Sequence, residues 1–158
     1  MECRFRHQGG MATLEFAVAA TLLFVLLFGA LDLGRLMQQN NVLKQAVDVG
    51  ARYWSSHFFD DGGVPNPASE TEAKSRLTNF ISQSGAGMST NNLGAITATR
   101  GSVDANGVFS AADNGSYVRM EATYSFSWIT PIMGFLSWNG SGKTLSASAT
   151  YIITNNAN

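Results

Sequence analysis

Glu15 is the single charged residue in a stretch that is otherwise apolar or neutral from Met11 to Leu31. At the centre of a membrane-crossing helix a carboxylate costs roughly 2.5–3.5 kcal/mol, and much less near an end. Glu15 lies close enough to the start of the run for its carboxylate to reach the interface. Other chemistry-bearing residues are sparse. His7 and His57 are the two histidines, and no Ser-His-Asp triad is suggested around either. There is no Gly-x-Ser-x-Gly elbow, phosphate loop, zinc-protease motif or paired-carboxylate constellation. Cys3 is the lone thiol, which rules out an internal disulfide and a cysteine-based zinc site. No small-residue lipobox precedes it. Asp60 and Asp61 are adjacent acids without an EF-hand pattern, and such pairs are usually just solvated. His57, beside Phe58 and Phe59, reads as a surface or packing residue. The expectation is a protein that is not an enzyme, with no cofactor, metal site or small-molecule substrate.

The elements that position these residues follow from the pattern of hydropathy. At ~1.5 Å per residue a helix over Met11–Leu31 spans ~30 Å, about one hydrocarbon core. Arg4, Arg6 and His7 precede it, and Asp32 and Arg35 follow. The early positive excess favours a cytoplasmic N-terminus and an extracytoplasmic remainder. A cleaved secretory signal is disfavoured: the run is too long, and Phe28 stands where a small side chain is wanted. Net charge is −1 and no basic patch with interleaved aromatics appears, so no nucleic-acid partner is expected.

Beyond the run, Leu33, Leu36, Met37, Asn40, Leu43, Val47, Gly50, Ala51 and Trp54 recur at steps of three and four, predicting an amphipathic continuation to about Trp54. Arg35, Gln38, Gln39, Lys44, Gln45, Asp48 and Arg52 fall on other faces. The stripe packs on the chain's own outer domain or, through Gly29, Gly34 and Gly50, admits another helix, and both can hold at different heights along it. Asp32 and Arg35, three apart, are placed to pair. Asp60–Pro67 reads as a loop, and Ser69 with Glu72 as a capping box opening a helix to about Gln83, with Leu77, Phe80 and Ile81 inward.

From Ala95 the period becomes two. Val118, Met120, Ala122, Tyr124, Phe126 and Trp128 alternate with polar residues, as do Leu145, Ala147, Ala149, Tyr151 and Ile153. Ile96–Val103 and Val108–Phe109 complete a small antiparallel sheet, with Asn106-Gly107 and Asn114-Gly115 as hairpin-type turns. Ile129–Gly142 is too apolar for a free loop: it either closes over the sheet edge or forms a contact patch for a partner subunit or the membrane surface. The fold class is α+β, a long N-terminal transmembrane and amphipathic helix followed by a small antiparallel sheet packed on helices. Residues 11–31 form the span, 32–58 its amphipathic extension and 59–158 the extracytoplasmic domain.

Gly10, four residues, then Glu15-Phe16 resembles the type IV prepilin cleavage motif. The resemblance implies that a membrane-embedded prepilin peptidase cuts between Gly10 and Met11, removing residues 1–10 as a basic leader. Glu15 then gains a partner in a new α-amine, its own or a neighbouring subunit's, which makes burial of the charge bearable. The following stretch, with Gly29, Asp32, Gly34, Arg35, Gly50, Ala51 and Arg52, resembles the TadE-like family of minor pilins or pseudopilins. What this implies is a single-pass inner-membrane subunit of a Tad (Flp) pilus or secretion machine. Its expected partners are the peptidase, other pilin-like subunits and the Tad assembly platform. The competing expectation is a bitopic inner-membrane protein with a periplasmic binding domain and no pilus role.

Overall fold

The computed structural model describes residues 8–60, 63–130 and 142–154. Its first element, α1 (Gln8–Ser56), is one helix of 49 residues that carries the apolar segment and its amphipathic continuation. Contacts divide the chain into two units. One is the part of α1 up to Arg35 with the segment that begins at Trp128; the other is Leu36–Ser127 with the chain from Gly142 onward.

In the first unit the most apolar window of α1 has no buried residue, and Phe16, Leu22 and Leu26 stand open. A helix apolar on all sides needs an apolar surrounding, and this one has the length and composition to cross a membrane. Thr21, inside the apolar run, is satisfied locally: its Oγ1 donates to the Ala17 carbonyl at 2.8 Å.

In the second unit α1 buries one stripe: Gln39, Leu43, Ala46, Val47, Gly50, Ala51 and Trp54. The expected stripe is therefore rotated at its start. Leu33 and Met37 are exposed, while Gln39, expected on a polar face, is buried with its amide Nε2 donating to the Ala86 carbonyl at 3.2 Å. A buried amide is tolerated because that bond replaces water.

The second helix, α2 (Pro67–Gln83), presents Ala73, Leu77 and Ile81 inward, with Phe80 half-buried. Its start differs from the capping box. Asn66 is the cap, accepting from the Ala68 N–H at 3.1 Å, and Pro67 occupies the first helical position. Proline suits that place because its missing N–H would be unpaired there anyway. Ser69 is buried one turn in, donating to the Asn66 carbonyl.

A short 3-10 turn (Thr90–Asn92) leads into β1 (Leu93–Val103), β2 (Phe109–Ala111), β3 (Tyr117–Ser127) and β4 (Gly142–Ile152). The four form an antiparallel sheet in the order β2-β1-β3-β4. β3 alternates as expected: Val118, Met120, Ala122, Tyr124 and Phe126 are buried against the helices. Trp128 lies past its end and is half-buried. On β4, Leu145 and Ala147 are buried, and Ala149 and Tyr151 half-buried. The α+β class holds.

Asn106-Gly107 turns the β1–β2 hairpin, with Gly107 at φ 81°, a left-handed conformation that glycine takes without steric cost. Asn114-Gly115 does not make a second hairpin. After β2 the chain crosses the end of β1 and continues on its other side as β3. The Ala112 N–H donates to the Arg100 carbonyl at 3.1 Å. Gly115 then passes so close that a Cβ would stand 1.8 Å from the Gly101 oxygen. A side chain at Gly115 would separate the two backbones, and one at Gly101 would strike Ser110 and Phe109 of β2 instead. The expected roles of the Ile129–Gly142 connection fall largely on residues 131–141, outside the described residues.

Candidate functional site

Gly10 and Met11 lie in the first turn of α1, where backbone N–H groups lack helical partners and the helix opens most easily. Both are exposed, as are Glu15 and Phe16 further along. Among the described residues no ion pair or hydrogen bond reaches the Glu15 carboxylate. The head of the helix therefore presents an exposed Gly10–Met11 segment and an exposed acid.

Asp32 ends the apolar run. It is 2% exposed, and both carboxylate oxygens are engaged. Oδ2 accepts from the Thr130 hydroxyl at 2.5 Å and the Thr130 N–H at 3.2 Å, while Oδ1 accepts from the Ile129 N–H at 3.4 Å. Burial pushes its pKa up, but these donors and the nearby positive charge of Arg35 outweigh it, and the net direction is downward. The pairing expected between Asp32 and Arg35 is thus secondary: the carboxylate is spent on the chain that leaves β3.

In the second unit Gly50, Ala51 and Arg52 serve different ends. At Gly50, α1 runs close to α2 and β3. A Cβ there would stand 2.7 Å from Met120 Sδ, 3.1 Å from the Ala73 carbonyl oxygen and 3.4 Å from Leu77 Cβ. Of the two roles left open for this glycine, close approach inside the chain's own domain is the one it performs. At Gly34, by contrast, a Cβ would meet nothing within 4 Å. Ala51 is fully buried. Arg52 Nε sits 3.0 Å from Asp48 Oδ2 and donates to the Tyr151 hydroxyl at 2.9 Å; that hydroxyl donates in turn to Asp48 Oδ1. The Tyr151 bond and the Asp48 charge hold the Arg52 pKa above its ordinary value. The cluster ties β4 to α1. The four-residue spacing of Asp48 and Arg52 was a readable signal, but Tyr151 is 103 residues from Asp48 along the chain.

The remaining candidates make local contacts. His57 is exposed and stacks on Tyr53, with ring centroids 4.1 Å apart. Asp60 Oδ1 accepts from the Val64 N–H at 2.8 Å, which closes the loop before α2; Asp61 lies outside the described residues. Among the described residues no three His, Cys, Asp or Glu side chains converge in a way that could hold a metal.

No curated protein and no solved structure matches the chain. Residues 10–52, from the exposed Gly10–Met11 segment through Asp32 to the Asp48–Arg52 pair, match the model of the family described as TadE-like protein.

Proposed function

We propose that this chain is a minor pilin-like structural or priming subunit of a Tad (Flp) pilus assembly or secretion machine. The observation that carries the reading is the TadE-like match over residues 10–52, on a helix whose apolar half is bare on all sides. A bare apolar helix suits both lodgings such a subunit needs, first lipid and then a bundle of like helices. The precursor sits in the bacterial inner membrane with its N-terminus cytoplasmic and its sheet domain extracytoplasmic.

Prepilin peptidase hydrolyses the Gly10–Met11 amide. Water supplies a hydroxyl to the Gly10 carbonyl and a proton to the departing nitrogen, so Met11 gains a free α-amine. Protonated, that amine pairs with a Glu15 carboxylate in low dielectric, where an unpaired charge would be costly. In this reading Glu15 sets the register between packed helices, with Phe16 beside it.

The test is co-expression with the matching prepilin peptidase, followed by gel shift and N-terminal sequencing. The native chain is expected to yield a product beginning at Met11, and Gly10→Ala to remain full length. A native product that stays unprocessed overturns the reading and favours a bitopic protein without a pilus role.

A further inference from the structure

A carboxylate placed one residue after an apolar span stands where hydrocarbon gives way to headgroups. An aspartate in open water there would be satisfied by solvent. Asp32 is instead 2% exposed and takes three donors from Ile129 and Thr130. The same bonds satisfy two backbone N–H groups of a chain that has just left a strand, groups that could not be left bare beside lipid. With charge and backbone both paired, what this segment shows outward is apolar: the Ile129 side chain is 66% exposed. On α1, Phe28 and Leu31, one turn and one residue before Asp32, are exposed as well, and the Asp32 bonds hold Ile129 at that end of the apolar run.

We propose that Ile129 and Thr130 form a second membrane contact, held at the bilayer boundary by Asp32, with the Ile129 side chain seated in the lipid interface. The occupant is lipid, because Asp32 bonds Ile129 and Thr130 directly at the end of the apolar helix and the polar groups behind the exposed Ile129 side chain are already paired. This rests on the reading of Met11–Leu31 as a membrane span.

The test uses the full chain with Cys3→Ser and single cysteines introduced as Ile129→Cys, Leu22→Cys and Val108→Cys. Each purified protein is reconstituted in vesicles of phosphatidylcholine and phosphatidylglycerol and treated with a membrane-impermeant maleimide. Labelling is normalised to the total after denaturation. Val108→Cys, on the exposed β1–β2 turn, is expected to label readily and Leu22→Cys to be protected. Ile129→Cys is expected to label more slowly than Val108→Cys by an order of magnitude, and adding Asp32→Asn to bring it towards the Val108→Cys rate. Equal rates at Ile129→Cys and Val108→Cys overturn the proposal. Protection of Ile129→Cys only in cells with other pilus proteins, and not in vesicles, overturns it too and assigns the residue to a protein partner. If Leu22→Cys labels readily, the span reading itself has failed.

Discussion

The two parts of α1 belong to one continuous helix and yet bury opposite things. Before Asp32, Phe16 is 74% exposed and its apolar neighbours are bare, while the first deeply buried side chain is the acid itself. After Leu36, Leu43, Val47 and Ala51 are fully covered, and Lys44 and Arg52 face outward. Hydrophobicity alone does not decide which residues are covered; the medium each part is built for does. Burial of apolar area drives the second part in water, whereas the first part has nothing to gain from covering residues that lipid already solvates.

That contrast is most easily broken by truncating one aromatic in each part. Phe126→Ala removes a fully buried ring from the face of the sheet that α1 and α2 cover, and is expected to lower the stability of the sheet domain by about 3–5 kcal/mol. Phe16→Ala is expected to change it by no more than about 0.5 kcal/mol. Thermal melts of the detergent-solubilised chain, followed by near-UV circular dichroism, make the comparison. A comparable loss from Phe16→Ala would mean that the two parts do not differ in what they bury.

Asp32 sharpens the contrast, being the polar core of the apolar part. Hydrogen bonds to a charged group contribute about 1.5–3 kcal/mol each, so Asp32→Asn is expected to weaken the hold on Ile129 and Thr130 by about 2 kcal/mol. Hydrogen exchange over Ser127–Thr130 reads this as faster exchange. The pKa of Asp32 is lowered in the folded chain, so its contribution is complete above the ordinary carboxylate value of about 4. It is lost as the pH falls through the folded value. The gap between the native chain and Asp32→Asn should accordingly close in acid and stay constant from mildly acidic to neutral pH.

The glycines give a smaller, signed effect. Gly34→Ala meets open space and gains helix propensity, a stabilisation of up to about 1 kcal/mol. Gly50→Ala gains the same propensity but drives a Cβ against the Ala73 carbonyl, which is backbone and cannot swing aside as Met120 can. Overpacking of that kind costs about 1–3 kcal/mol. The two melts should therefore move in opposite directions. If Gly34→Ala also destabilises, a neighbour unseen in the single chain packs there.

What the sequence disclosed is divided by distance along the chain. The long apolar helix, the alternation of β3 and the Asn106-Gly107 turn are written in neighbouring residues, and local composition and period find them. The Asn66 cap was local too, but the Ser69–Glu72 pattern competed with it, and Pro67 was the better signal. The partners of Asp32 lie 97 and 98 residues away, and the crossing of Gly115 over Gly101 depends on strand order. Neither leaves a periodic trace. The start of the amphipathic stripe was misplaced because Leu33 and Met37 look like core, while Gln39 is buried by its bond to Ala86 and not by its own polarity.

A modest loss is expected at the Asp48–Arg52–Tyr151 cluster, and it tests whether the tie of β4 to α1 depends on one hydroxyl. Tyr151→Phe removes the donor to Asp48 and the acceptor for Arg52 but leaves the ring, and Asp48 and Arg52 remain 3.0 Å apart with water able to reach both. The loss should be about 1 kcal/mol, the net value of an ordinary hydrogen bond. Asp48→Asn in the same background should then add less than it does alone, because the two substitutions remove a shared bond. Strict additivity in chemical denaturation of the two singles and the double would show that Tyr151 holds β4 by its ring against α1, and that the hydroxyl contributes nothing to the tie.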